Sequence, residues 1–270
     1  MEILDFKTIA KEYQNAGITD SDWARISLQN RVTAYNAMVA PDDGSGVTCP
    51  QCRGKGTVAV VSPHSGNFTI LPCRCHGTRL TVKRLQKCGV WKQAQRYTLD
   101  NFHTDTVVQK TMKSVTQQFL EQPKGHWLML CGQSGSGKTH LCTAAFVQLT
   151  HKLGLAGEYF LWNRDGRRLK AAVLEDNQGV WERYKETELL YIDDLFKDAA
   201  SDADKRMAFE LLDYRYNNDL VTILSSELSL DQLLALDEAI AGRIREKCGP
   251  YLVNIGLNPE KNYRLSNQAG

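Results

Sequence analysis

The chain has 270 residues and a mass of 30.4 kDa, enough for one large domain or a medium domain with a small companion. Hydrophobic residues make up 42% and charged residues 24%, with a formal net charge of +2; this excludes a disordered or collagen-like chain and any argument from global basicity. No apolar run approaches the roughly 20 residues a membrane helix needs, and the first residues lack the basic and uninterrupted apolar regions of a secretory signal, so a cytoplasmic protein with no membrane partner is expected.

Ile3, Phe6, Ile9 and Tyr13 recur at helical spacing, and a second helix is expected after Thr19 and Asp20, with Asp22 in its first turn and Trp23, Ile26 and Asn30 following. The stretch from Ala40 to Gly46 breaks the pattern. A helical unit over 1–44 is too short for a large core, so its apolar stripes are expected to pack either on a partner protein or on the rest of the chain.

Next come Cys49-x-x-Cys52 and Cys73-x-Cys75, flanking two β-prone runs, Thr57 to Val61 and Phe68 to Leu71, joined by turn residues from Ser62 to Asn67. A hairpin would gather these four thiols at the corners of a tetrahedron, the geometry of a Zn²⁺ site that is structural because all four positions are sulfur. His76 is an alternative ligand, and an iron–sulfur cluster or unligated cysteines are the other readings. The string CPQCRGKG resembles one zinc knuckle of the J-protein type. From Cys49 to Tyr97 there are nine Lys and Arg residues and no Asp or Glu, the mark of a surface facing nucleic acid or of a solvated linker. A basic zinc module with its linker is therefore expected over 45–96.

From Tyr97 onward strands and helices alternate. A helix is expected over Val107 to Leu120, a break at Pro123 to Gly125, and a buried strand from His126 to Cys131. Gly132 to Thr139, GQSGSGKT, fits the P-loop pattern at every fixed position, and a helix to Leu153 follows. The expected nucleotide set is Gly132, Gly135, Ser136, Gly137, Lys138 and Thr139, with Lys138 between the β- and γ-phosphates and the Thr139 hydroxyl on Mg²⁺. Leu189 to Asp194 reads as a strand ending in two carboxylates: Asp193 to hold the Mg²⁺ of Mg-ATP, Asp194 to orient the attacking water. A strand from Leu220 ends at Ser226, which would touch the γ-phosphate or the attacking water, or simply serve as a turn residue. A helix from Asp237 to Lys247 carries Arg243 and stops at Gly249-Pro250, and a last strand spans Tyr251 to Ile255.

Together CPQC with PCRC, RYTLDNF (96–102), GQSGSGKTHL (132–141), LLYIDDLFK (189–197), FELLDYRYNN (209–218), ILSSE (223–227), DEAIAGRI (237–244) and NYRL (262–265) resemble the DnaC-type helicase loaders of bacteria and phages. These stand close to the IstB-type transposition ATPases, and all are AAA+ proteins. The resemblance implies an α/β fold: a P-loop AAA+ ATPase core over 97–270, a parallel sheet flanked by helices. It places Ser225 and Ser226 at sensor 1, Arg243 as an arginine finger and Tyr97 to Phe102 beside the adenine. It also implies a helix over 163–176, after a strand from Glu158 to Trp162, that meets single-stranded DNA through Arg164, Arg167, Arg168 and Lys170. Asp194 replaces the usual Glu and Glu227 a sensor Asn, so slow, switch-like hydrolysis is expected. Only about 15 residues follow Ile255, so no lid domain is expected. The implied function is an ATPase that binds a replicative helicase through its amino-terminal region, associates with itself through the ATPase domain, and helps place the helicase on single-stranded DNA. The rival readings are an IstB-like transposition accessory ATPase, a P-loop small-molecule kinase, and a zinc-stabilised DNA-binding module with a vestigial ATP site.

Overall fold

The computed structural model describes residues 19–173, 178–198 and 200–256. The helix expected over Ile3 to Tyr13, the end of the helix expected over 163–176 and the NYRL string lie outside them. Backbone contacts divide the chain into two units, Met1–His76 and Gly77–Gly270.

In the first unit, helix α1 (Asp20–Ala37) opens on a capping box, Thr19 accepting from the Asp22 N–H while Asp22 reaches back to the Thr19 N–H. Strands β1 (Thr57–Val61) and β2 (Phe68–Pro72) pair antiparallel, Thr57 opposite Pro72. Asn36 ties α1 to β1, its Nδ2 donating to the Ala59 carbonyl and its Oδ1 accepting from the Ala59 N–H, each at 2.9 Å. A two-stranded ribbon is marginal by itself. The buried cluster of this unit is made of Cys52, Cys73 and Cys75, with Val47, Cys49 and Val58 against it, while Ile70 and Leu71 are exposed.

The second unit is a parallel sheet between two layers of helices. Its elements are α2 (His76–Lys87), α3 (Trp91–Arg96), α4 (Val107–Glu121), β3 (Trp127–Gly132), α5 (Lys138–Leu153), β4 (Gly157–Leu161), α6 (Trp162–Val173) and α7 (Gln178–Glu186). There follow β5 (Leu189–Asp193), α8 (Asp202–Asn217), β6 (Val221–Ser226), α9 (Leu230–Leu236), α10 (Glu238–Cys248), a 3₁₀ turn (Gly249–Tyr251) and β7 (Leu252–Ile255). The five strands lie in the order β4-β5-β6-β3-β7. Strand alternation divides the core. Leu128 and Leu130 face one layer with Phe119, Leu141 and Phe146, whereas Trp127, Met129 and Cys131 face the other with Leu211, Ile240 and Ile244. Trp162 opens α6 instead of closing β4.

Residues 77–96, expected to belong with the basic zinc module as linker, are helical and fall in the second unit. The reason is an edge. Strand β4 is one of the two edge strands, and α2 covers it: Thr81 Oγ1 accepts the Gly157 N–H at 2.8 Å and Arg84 Nη1 donates to the Gly157 carbonyl at 3.1 Å. Gly77 is required there, because a Cβ would lie 1.9 Å from the Gly154 carbonyl oxygen at the end of α5.

Arg215 on α8 is fully buried. Its guanidinium donates to the carbonyls of Tyr184, Lys185, Thr187 and Val221 and to Thr222 Oγ1, at 2.7 to 3.2 Å. Removing it would strand the carbonyls that close α7 and start β6. Arg215→Ala should cost about 3 kcal/mol or more, read as a lowered urea midpoint, and Arg215→Lys should recover little because one ammonium cannot serve five diverging acceptors.

Candidate nucleotide and metal sites

Strand β3 is buried along its whole length and delivers the chain to Gly132, whose φ of 102° is left-handed and whose missing Cβ would lie 2.1 Å from the Ile255 carbonyl oxygen. The loop Gly132 to Gly137 then turns into α5, whose first residue is Lys138, so free helical N–H groups and an ammonium converge on one point. Lys138 Nζ donates to the carbonyls of Gly132 and Gln133 at 2.8 and 2.6 Å. Burial lowers its pKa, opposed by the charges of Glu227 and Asp194.

A cleft of about 220 Å³ opens over this loop, with Tyr97, Phe102 and His140 at one end and Asp194, Lys197 and Glu227 at the other. His140 Nε2 lies 2.8 Å from the Thr98 carbonyl oxygen, and its ring stacks on Tyr97 with centroids 4.6 Å apart. Burial lowers the pKa of this imidazole, consistent with a neutral ring donating to that carbonyl. The segment from Tyr97 to Phe102 is thereby pinned beside the P-loop.

Asp193 ends β5, on the sheet face turned to α5. Its Oδ1 accepts from Tyr191 at 2.7 Å, Ser225 at 2.5 Å and Thr139 at 3.3 Å, and its Oδ2 accepts from Tyr159 at 2.9 Å. Burial, with the nearby Asp193 charge second, drives both phenols well above the ordinary tyrosine range, so each remains a donor. Thr139 and Asp193 face one another as a hard cation with oxygen ligands would need, so these residues fit Mg²⁺.

Ser226 does not join this group. It is fully buried, donating to the Leu195 carbonyl at 2.7 Å and accepting from the Leu228 N–H at 3.1 Å. This corrects the expectation that it faces the γ-phosphate: strand alternation turns Ser225 to the Asp193 face and Ser226 to the other.

Asp194 sits at φ 58°. Its N–H donates to Ser225 Oγ at 3.0 Å and its Oδ2 lies 2.9 Å from Lys197 Nζ. The same ammonium is 3.3 Å from Glu227 Oε1, which also accepts from Ser134 at 2.8 Å. Sequence reasoning missed Lys197, Ser134, Tyr159 and Tyr191. The signal available for Lys197 was its place three residues after Asp194 in IDDLFK; nothing in the sequence marked the two tyrosines beyond membership of β-prone runs.

Arg243 lies outside this cleft. Its Nε and Nη2 are 2.8 and 2.7 Å from Asp213 Oδ1, and its guanidinium rests 4.7 Å from the Phe209 ring centre. Of the four cations expected to meet DNA, Arg164 is instead an internal clamp. It holds both oxygens of buried Asp165 at 2.8 and 2.7 Å and donates to the Cys88 carbonyl at 3.1 Å. Lys170 is paired with Asp204 at 2.5 Å, whereas Arg167 and Arg168 are exposed.

In the first unit Cys49, Cys52, Cys73 and Cys75 place their sulfurs within 4.8 Å of one another. The Cys49–Cys73 and Cys52–Cys75 separations are 3.8 and 3.5 Å, far beyond a disulfide's ~2.05 Å and close to the ~3.8 Å edge of a tetrahedron with 2.3 Å metal–sulfur bonds. The Gly56 N–H donates to Cys52 Sγ at 3.3 Å. Burial alone would raise the Cys52 thiol, but this N–H and the neighbouring thiols outweigh it and bring its pKa to about 7. These four residues fit a closed tetrahedral cation, and His76 is not among them.

Among known proteins, the family model described as "IstB-like ATP binding protein" matches residues 79–255. The phage-like element PBSX protein XkdC of Bacillus subtilis (strain 168) is 33% identical over 84% of this chain and 89% of its own length. The solved DnaC helicase loader superposes with a TM-score of 0.54 at 26% identity, covering 58% of this chain and 96% of that one. DnaI gives 0.51 at 22% identity over 61% of this chain and 92% of its own, a likeness of fold.

The loop itself supplies a test. Gly137 has a φ of 96°, and a Cβ there would lie 2.6 Å from the Phe102 ring. Gly137→Ala should therefore weaken nucleotide binding about tenfold or more through backbone strain, measured by calorimetry with an ATP analogue, and the same strain should lower the stability by about 1 to 3 kcal/mol.

Proposed function

Because the chain belongs to the family of IstB-like ATP-binding proteins, within the AAA+ class, we propose that it is an ATP-dependent helicase loader. In this reading it binds a replicative hexameric helicase and single-stranded DNA and uses ATP to switch between assembly states. The observation that carries it is the pairing of two features in one chain: a P-loop facing a strand-end Asp193–Asp194 pair, and a separate four-thiol module. A small-molecule kinase has no need of the second feature.

Lys138 binds the β- and γ-phosphates, Thr139 and Asp193 hold Mg²⁺, and Asp194 orients the attacking water. Arg243 acts on a neighbouring subunit's nucleotide after leaving Asp213, so turnover depends on self-association. Exposed Arg167 and Arg168 contact nucleic-acid phosphates without reading bases, and such binding weakens steeply with salt. The first unit holds Zn²⁺ on Cys49, Cys52, Cys73 and Cys75 and, with the helical amino-terminal region, engages the helicase. A transposition accessory ATPase of the IstB type is the alternative, and preference for duplex DNA with capture of a transposase would favour it.

The test is capture of the replicative helicase by the purified protein with and without ATP, alongside ATP turnover with and without single-stranded DNA. ATP-dependent capture and DNA-dependent turnover are expected. Lys138→Ala should lose nucleotide binding, whereas Asp193→Asn should keep most binding and lose turnover. Capture that ignores ATP, or full turnover in either variant, refutes the reading.

A second measurement addresses the metal. The protein should carry one tightly held zinc, and Cys73→Ser should lose it together with protease resistance of the first unit. Unchanged zinc content in that variant would rule the assignment out.

A further inference from the structure

Lys197 occupies a position that the functional reading leaves unused. On one side its ammonium pairs with Asp194 and Glu227, at 2.9 and 3.3 Å, inside the nucleotide cleft. On the other side the same residue lines a second cavity of about 230 Å³, beside α6, formed with Asn163, Arg167, Lys170, Asp198 and Asp204. Lys197 lines both of these cavities.

The backbone that carries it is strained. Asp194, Phe196 and Asp198 have φ values of 58°, 56° and 62°, a left-handed conformation that costs a bulky residue such as Phe about 1 to 3 kcal/mol. The surroundings hold the segment in place. The Leu195 N–H donates to the Ser225 carbonyl at 2.8 Å, Ser226 Oγ donates to the Leu195 carbonyl, and Asn163 Nδ2 donates to Asp198 at 2.6 Å. The last of these bonds joins the segment to α6, so a ligand that moves α6 or its side chains acts directly on the segment bearing Lys197.

Electrostatics gives this geometry a direction. An ammonium on Oδ2 lowers the basicity of the Asp194 carboxylate and fixes the direction in which it points, while the lone pairs it does not occupy stay open. Withdrawing Lys197 restores that basicity and lets the carboxylate turn toward a water it is to orient. In the second cavity Arg167 is exposed, while Lys170 and Asn163 are spoken for by Asp204 and Asp198. A phosphate entering there meets Arg167 and Lys170 of α6 and Lys197 of the segment after β5, three cations against the two carboxylates of Asp198 and Asp204.

We propose that Lys197 is a positioning residue that couples the two cavities: it restrains Asp194, and a nucleic-acid phosphate bound beside α6 draws it away and frees that carboxylate for water. This deepens the proposed function and rests on it, since it takes Asp194 as the water-orienting group and nucleic acid as the ligand of α6.

The experiment is ATP turnover of the full chain, as parent, Lys197→Met and Lys197→Arg, alone, with a single-stranded oligothymidylate and with a duplex of equal length. ATP-analogue affinity and unfolding midpoint are measured on each. The parent should be stimulated by the single strand. Lys197→Met should show basal turnover raised several-fold toward the stimulated level, little further response to DNA, and unchanged analogue affinity. Lys197→Arg should keep the low basal rate and regain part of the response. Lys197→Gln supplies the same loss of charge should the Met variant not fold. A Met variant stimulated as strongly as the parent overturns this inference alone. A fall in its basal rate also overturns it and makes Lys197 a ligand of the γ-phosphate. A parent that hydrolyses no ATP in any condition overturns the functional reading and this inference together, and stimulation by duplex alone reassigns the ligand and sinks the coupling to single strands.

Discussion

Asp193 ends a strand whose every residue is buried, and a carboxylate in such a place costs several kcal/mol unless its lone pairs are filled. Three hydroxyls on three different strands fill them at close range: Tyr159 on β4, Tyr191 on β5 and Ser225 on β6. A fourth, Thr139, comes from the first turn of the P-loop helix. The carboxylate that faces Thr139 of the P-loop helix is thus the group that ties three strands to α5. Its orientation is set before any ligand arrives, and preorganised polar groups are worth most where water is excluded.

The same network explains why the two serines of β6 diverge. Ser225 both donates to Asp193 and accepts from the Asp194 N–H, so it fixes the direction in which the chain leaves β5. Ser226 donates to the Leu195 carbonyl and holds the next residue from the opposite face. Between them they impose the left-handed turn at Asp194. A regular strand exit would carry the second carboxylate away from the P-loop; the strained one turns it into the cleft beside Glu227. Strain here has a local cause in named hydrogen bonds and a local product in the position of one side chain.

Much of this architecture was legible in the sequence, because its strongest signals are local. Buried runs such as Trp127 to Cys131 and Leu189 to Ile192 mark strands by length and composition. The glycines of the P-loop mark a backbone that must pass close to other atoms, as Gly132 does against Ile255. Thr19 with Asp22 marks a helix start that the structure reproduces. Less visible were features that depend on which residues meet across the sheet. Tyr159 and Tyr191 lie 32 positions apart in the sequence, yet they converge on one carboxylate. Arg164 is expected at DNA because the resemblance implies a DNA-contacting helix over 163–176, but its partners, Asp165 beside it and the Cys88 carbonyl far before it, make it an internal clamp.

The stretch of nine cations without an acid shows where charge reading from sequence stops. Its natural interpretation is a face that needs an external anion. In the second unit Arg84 has its counter-charge inside the protein, on Glu158 of β4 at 3.0 Å, which Arg183 of α7 also approaches at 2.9 Å. Glu158 is buried, and burial raises its pKa while the two guanidinium groups oppose the rise. Arg79 is buried as well. The segment therefore lacks acids partly because β4 supplies one, and part of its basicity serves to seal a sheet edge. What remains exposed, including Lys87, Lys92 and Arg96, is the portion open to an outside partner. A single-sign block thus gives an upper bound on the charge a surface can offer, and the fold subtracts from it every cation whose counter-ion lies elsewhere in the chain.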